Sequence, residues 1–186
     1  MNIDGSSPQL LTNVEGTASS PIITPDTNTV LFAWVKNDQL VSGKIPLGGG
    51  AIAEQPHFTR NHWMLSPDGK QIAFAFYDEP AKRYKVRVRP LETEEPSPIF
   101  DISPTNFLVW TADGKHLLYR KLGPSQASNS TIWMQAVSGG EPKSFLSVKP
   151  DSVYNLSQSG DGKQTAVVRG KLLTDAVMLT KITQTK

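Results

Sequence analysis

Three Asp-Gly-Lys triplets, Asp68-Gly69-Lys70, Asp113-Gly114-Lys115 and Asp161-Gly162-Lys163, stand 45 and 48 residues apart, each between a short strand-like segment and an apolar or alternating run. An Asp-Gly pair supplies the positive φ angles that a tight hairpin needs. A worn copy lies at Thr24-Pro25-Asp26-Thr27-Asn28, 42 residues before the first clear one, with Asp26 in place of the turn aspartate and Asn28 in place of the lysine. A hairpin signal that returns at this interval is the signature of a β-propeller, in which each repeat is one small sheet that cannot bury its faces alone.

The expected fold is therefore all-β: a β-propeller segment of about four four-stranded blades, arranged as an open arc of a larger ring. The second full repeat reads as strands at His62 to Leu65, Gln71 to Tyr77, Tyr84 to Pro90 and Ser97 to Asp101. The third reads as Phe107 to Trp110, His116 to Arg120, Thr131 to Val137 and Pro142 to Ser147. Counting from the turns divides the chain into a remnant of a preceding blade at 1–19, blades at 20–58, 59–104 and 105–150, and a last blade at 151–186 without its outer strand. That last repeat has strands at Val153 to Ser157, Gln164 to Arg169 and Asp175 to Ile182. A strand at Gln9 to Asn13 is expected to be the outer strand of the preceding blade or a closure strand for the last one, because an unpaired sheet edge invites association. On this reading the chain is a piece of a larger protein.

Composition narrows the function classes. The chain has 186 residues, 14 Gly, 14 Pro and 38% hydrophobic residues, and no apolar run approaches the length of a membrane span. Residues 1–4 have neither a basic nor an apolar segment of the secretory kind. The formal charge is +2, and the basic residues Lys82, Arg83, Lys85, Arg87 and Arg89 are interleaved with Tyr and Val, as on a solvated strand face rather than a nucleic-acid surface. With no Cys, disulfides, thiolate metal sites and a cysteine nucleophile are excluded. His57, His62 and His116 fall in separate repeats, so no convergent metal set is expected, and no motif for a cofactor occurs. Trp34, Trp63, Trp110 and Trp133 fall in or next to strands and are expected to fill the core.

Ser66-Pro67-Asp68-Gly69-Lys70-Gln71-Ile72-Ala73-Phe74, with the Gly139-Gly140-Glu141-Pro142 turn of the next repeat, resembles the TolB-type repeat, a relative of the tryptophan-aspartate repeat. The final stretch from Asp161 to Leu179 resembles the end of propellers attached C-terminally to bacterial serine/threonine kinases and winged-helix regulators. That resemblance implies a non-catalytic sensor or binding module with a protein or peptide ligand, an upstream kinase or winged-helix domain, and a periplasmic or extracytoplasmic location. Thr111-Ala112 and Ser159-Gly160 stand where the repeat has Ser-Pro, and Thr24 to Asn28 lacks the turn glycine. The alternative is the accessory propeller that gates a prolyl-oligopeptidase-type hydrolase. A hydrolase would need a Gly-x-Ser-x-Gly nucleophile elbow, which these residues lack.

Strands that alternate in direction put the Asp-Gly turns on one face and the blade-to-blade connections, with the loops between second and third strands, on the other. Loops on a rigid scaffold are where binding residues concentrate. The candidate binding residues on that second rim are Arg60, Asn61, Tyr77, Asp78, Arg83, Asn106, Arg120 and Arg169. By contrast Asp68, Gly69, Asp113, Gly114, Asp161 and Gly162 are assigned to turn structure, the aspartates bonding through their side chains.

Overall fold

A computed structural model of the chain describes residues 4–55, 63–93, 98–102, 108–120 and 131–171, all as strands, turns and connecting segments. Three four-stranded antiparallel sheets and one two-stranded sheet follow one another along the sequence. The first holds β1 (Ala18–Ile23), β2 (Thr29–Lys36), β3 (Gln39–Pro46) and β4 (Ala53–Gln55); the second β5 (Trp63–Leu65), β6 (Gln71–Asp78), β7 (Arg83–Pro90) and β8 (Ile99–Phe100). The third holds β9 (Leu108–Trp110), β10 (His116–Arg120), β11 (Thr131–Ala136) and β12 (Lys143–Ser147), and the last β13 (Ser152–Gln158) and β14 (Thr165–Gly170). Within each sheet the strands pair in sequence order, as in an up-and-down meander, and the sheets form an open, unclosed propeller arrangement. The strand expected at Asp175 to Ile182 lies outside the described residues.

The core is built between sheets. Leu31 of β2 packs with Trp63, Ile72, Phe74 and Leu91 of the second sheet. One residue further along β6, Ala73 and Ala75 face the other way, with Val86 and Val88, against Leu108, Trp110, Leu117 and Tyr119 of the third sheet. Leu118 and Ile132 then meet Val153 and Leu156 of the last. Side chains alternate across a strand, so β6 and β10 must be apolar at successive positions to satisfy neighbours on both sides. In β13, Val153 and Leu156 are an odd number of residues apart and still share a face, because the pairing with β14 shifts between Val153 and Asn155. The indole Nε1 of Trp110 donates to the Met64 carbonyl at 3.0 Å, tying the third sheet to the second.

The Asp-Gly turns differ from the expected hairpin geometry. None of Asp68, Asp113 and Asp161 has a positive φ; only the glycines do, at +73° for Gly69, +66° for Gly114 and +71° for Gly162. Each turn is closed by the glycine N–H donating to the carbonyl three residues earlier, as from Gly69 to Ser66 at 2.9 Å, so a type I turn precedes the left-handed residue. The two-residue hairpin with two positive φ values is instead Asn37-Asp38, at +50° and +60°. Asn and Asp tolerate that region because their short polar side chains bond locally.

Two further expectations are corrected. Gln9 to Asn13 forms no strand. Pro8 offers no N–H to a ladder, and Leu11 and Val14 pack on the face of the first sheet that points away from the second, beside Val30, Phe32, Trp34 and Ile45. Nor is the basic face of β7 wholly solvated. Arg89 is buried: its Nη1 donates to the carbonyls of Pro90, Leu91 and Thr93 at 2.8–3.2 Å, and its guanidinium lies 5.8 Å from the Phe74 ring centre. A guanidinium has donors enough to satisfy a turn and a flat face that suits an aromatic ring.

In the worn repeat Thr27 occupies the glycine position with φ +59°. A β-branched residue is disfavoured there by about 1–2 kcal/mol, of which the flexibility of glycine in the unfolded chain returns part. Thr27→Gly is expected to stabilise the protein by about 0.5–1 kcal/mol in denaturant unfolding; a lower midpoint would contradict the strain assigned to this residue.

Candidate functional site

The residues singled out on the second rim separate into two groups. Tyr77, Asp78 and Arg83 share the β6–β7 hairpin, where Asp78 and Arg83 are the last paired residues and Tyr77 pairs with Tyr84. The two tyrosine rings meet edge to face with centres 5.2 Å apart, and both are exposed, at 43% and 37%. Asp78 accepts from Lys85 Nζ and, at 3.0 Å, from the Ala81 N–H. The lysine contact first, and the backbone N–H second, hold the Asp78 carboxyl below the ordinary carboxylate range. Arg83 reaches Asp101 beside β8 at 2.7 Å. The hairpin is thus an aromatic pair held in place by two ion pairs.

Arg120 and Arg169 lie at the junction of the third and last sheets. Arg120 is buried, and its Nη1 donates to the Val153 carbonyl at 2.5 Å, across from Arg169 in the β13–β14 pairing. Arg120 therefore ties sheets together and is not an open rim contact. Burial lowers the pKa of its guanidinium, and its Nε lacks a partner among the described residues. Arg169 is exposed, with Nε 3.7 Å from Asp151. Arg60, Asn61 and Asn106 lie outside the described residues, as do His57 and His62.

Sequence reasoning missed Tyr84, Lys85 and Asp101. Tyr84 and Lys85 could have been found by pairing β6 with β7 across the hairpin, which sets Tyr84 opposite Tyr77. Asp101 carried no such signal, since its contact depends on where the short β8 docks.

On the opposite face, the side chains of the turn aspartates bond within their own turns. Asp68 Oδ1 accepts from Ser66 Oγ at 2.6 Å and from the Lys70 N–H at 3.0 Å, while Ser66 Oγ accepts from the Gln71 N–H at 2.9 Å. The same three bonds recur around Thr24 and Asp26, Thr111 and Asp113, and Ser159 and Asp161. The hydroxyl, rather than the following proline, is thus the shared element, and Thr111-Ala112 and Ser159-Gly160 are complete turns. Successive turns also nest. A Cβ on Gly69 would lie 3.1 Å from Pro25, one on Gly114 3.8 Å from Pro67, and one on Gly162 3.1 Å from Ala112. Among the described residues, no group of three or more His, Asp or Glu could hold a metal ion, and no helix is long and apolar enough to cross a membrane.

Repeated four-stranded antiparallel sheets packed face against face, joined by nested turns, define the β-propeller class. Residues 41–167 match the family described as the prolyl oligopeptidase N-terminal β-propeller domain, and the chain belongs to that family. Its fold is similar to that of TolB from Acinetobacter baumannii, at 21% identity and a TM-score of 0.71 over 89% of this chain and 41% of that one. A putative TolB from Agrobacterium tumefaciens is also similar, at 16% identity and a TM-score of 0.65 over 87% of this chain and 60% of that one. A prolyl endopeptidase structure matches at 16% identity and a TM-score of 0.60, over 82% of this chain and 26% of its own. At these identities the likeness is one of fold. The chain spans less than two thirds of the length of each of these proteins. No curated protein sequence matches it.

The turns make stability depend on pH in a defined direction. Hydrogen bonds from the hydroxyl first, and from the backbone N–H second, lower the pKa of Asp26, Asp68, Asp113 and Asp161 from the model-peptide value of 3.8. A depressed folded pKa means that the unfolded chain takes up protons first as the pH falls. The contribution of these turns is therefore complete above the unfolded pKa and lost as the pH falls below it toward the lower folded values. Unfolding midpoints measured from pH 7 to pH 2 are expected to hold down to the carboxylate range and then drop. Replacing all four aspartates with asparagine should flatten that drop; an unchanged acid limb in the variant would contradict the assignment.

Proposed function

We propose that the chain is a non-catalytic propeller module that binds a protein or peptide ligand for a larger bacterial signalling or regulatory protein. The observation that carries this reading is the Tyr77–Tyr84 pair, two half-exposed aromatic rings framed by Asp78–Lys85 and Arg83–Asp101 at the end of a rigid hairpin. Tyrosine and arginine on a preorganised surface are the residue types that dominate protein recognition, and here little ordering entropy is left to lose on binding. The larger protein would carry its effector, a kinase or a winged-helix domain, upstream, with the propeller outside the cytoplasm.

Membership of the prolyl oligopeptidase propeller family favours a second reading, in which the module restricts access to a hydrolase domain. The two readings differ in what the hairpin does. In the first it contacts a partner; in the second the propeller acts by excluding large substrates and requires no affinity of its own.

Selection of a random peptide library on the full chain tests the first reading. Enriched peptides are expected to bind the native protein and to lose at least tenfold in affinity to a Tyr77→Ala/Tyr84→Ala variant that unfolds at the native midpoint. Affinity that survives the double substitution would contradict the role given to the hairpin, and failure to enrich any peptide would favour the gating reading.

A further inference from the structure

The fourth strand of each four-stranded sheet is paired along one edge to the third strand, and its other edge faces outward from the arc. Neighbouring sheets pack on the faces of a sheet, so a further blade would not cover this edge. In the first two sheets the fourth strand is brief. β4 has three residues and ends at the buried Gln55, and β8 has two and ends at the buried Phe100. β12 has five, Lys143–Ser147, and all of them are exposed. None belongs to the clusters that join the third sheet to its neighbours, and Phe145 and Leu146 stand 40% and 36% exposed.

An outer strand carries a row of N–H and C=O groups with no ladder partner, and natural sheets protect such an edge with charge, a bulge or brevity. β12 is only partly protected. Lys143 stands at one end, and a bulge leaves Phe145 with no residue opposite it on β11, since Ile132 pairs with Leu146 and Trp133 with Ser144. The centre of the strand, Ser144-Phe145-Leu146, is uncharged. Its flanks are not. Glu141 lies two residues before the strand and Lys149 two residues after it, both exposed and without an ion pair among the described residues.

We infer that β12 is a self-pairing edge, at which a second copy of this chain docks antiparallel to form one continuous sheet across two molecules. The sequence around Phe145 complements its own reverse. A two-fold axis at Phe145 sets the two phenyl rings together, Ser144 opposite Leu146 and Lys143 opposite Ser147, and brings Glu141 of each copy toward Lys149 of the other. No like charges face each other, and aromatic and opposite-charge cross-strand pairs are stabilising. The reciprocal match of Glu141 with Lys149 selects a second copy over an unrelated strand, as a self-complementary two-fold contact requires. A contact this short buries less area than a permanent interface, so the dimer is weak and reversible. It uses no residue of the Tyr77–Tyr84 hairpin, so this inference and the peptide-binding reading can fail independently.

Sedimentation of the full chain from micromolar to millimolar concentration tests it. A monomer–dimer equilibrium is expected. As dimer forms, the amide resonances of Lys143 to Ser147 should shift and their exchange with solvent should slow, while those of Tyr77 and Tyr84 stay in place. Phe145→Lys, at an exposed position, sets two cations together on the axis and should abolish the dimer at an unchanged unfolding midpoint. Glu141→Lys and Lys149→Glu each create two like-charge pairs and should weaken the dimer about tenfold, whereas Glu141→Lys/Lys149→Glu should restore the native affinity. A monomer at millimolar concentration, a dimer that survives Phe145→Lys, or a double variant as weak as the single ones would each overturn the inference. So would resonance shifts that fall on β2 and β3 in place of β12, which would put the contact on a sheet face.

Discussion

Each sheet in this protein carries apolar residues that it cannot bury alone, and their burial against neighbouring sheets is the constraint on which everything else depends. β6 shows it most plainly. Ile72 and Phe74 serve the first sheet, Ala73 and Ala75 serve the third, and Ile72 and Ala73 have no exposed surface. Full burial of a large aliphatic side chain contributes about 1.5–3 kcal/mol, while a repeat that is not stacked on its neighbours leaves its apolar faces in water. The free energy of the fold therefore resides between the sheets, and the hydrogen-bonded ladders within them set shape and spacing.

That constraint explains what the sequence made legible. A unit that must pack on its own kind has to repeat its geometry, and the turns are where the geometry is most demanding. Gly69, Gly114 and Gly162 repeat because the left-handed position follows each type I turn, and because the turn of the preceding sheet leaves little room for a Cβ at Gly69 and Gly162. The period was visible in the triplets, and so were the central strands, whose continuous apolar runs reflect burial on both faces. Less visible was the hydroxyl at Thr24, Ser66, Thr111 and Ser159. Serine and threonine alternate there with different following residues, and the eye follows the proline instead.

The remaining misses share a physical origin: they depend on which face a residue is given, and short-range pattern does not fix this. Arg89 alternates with Val86 and Val88 as a solvated residue would, yet the turn carbonyls after β7 and the Phe74 ring draw it inside. Arg120 looked like a rim residue because it ends a strand, but its guanidinium bridges to the backbone of the next sheet. Leu11 looked like part of a strand at Gln9 to Asn13 and instead packs, with Val14, on the apolar face of the first sheet that points away from the second. Tyr77, Asp78 and Arg83 share one hairpin because its end is fixed by local pairing, and the same pairing sets Tyr84 opposite Tyr77.

Native-state hydrogen exchange tests most directly whether stability resides between the sheets. The backbone amides of β6 and β10, whose sheets have a neighbour on each side, are expected to exchange only through global unfolding. Ile72→Ala, which opens a cavity between the first and second sheets at a cost of about 2–5 kcal/mol, should then accelerate exchange in β10 as much as in β6. Acceleration confined to β6 and its own sheet, with β10 unaffected, would show that the sheets are stable one by one and would contradict the account.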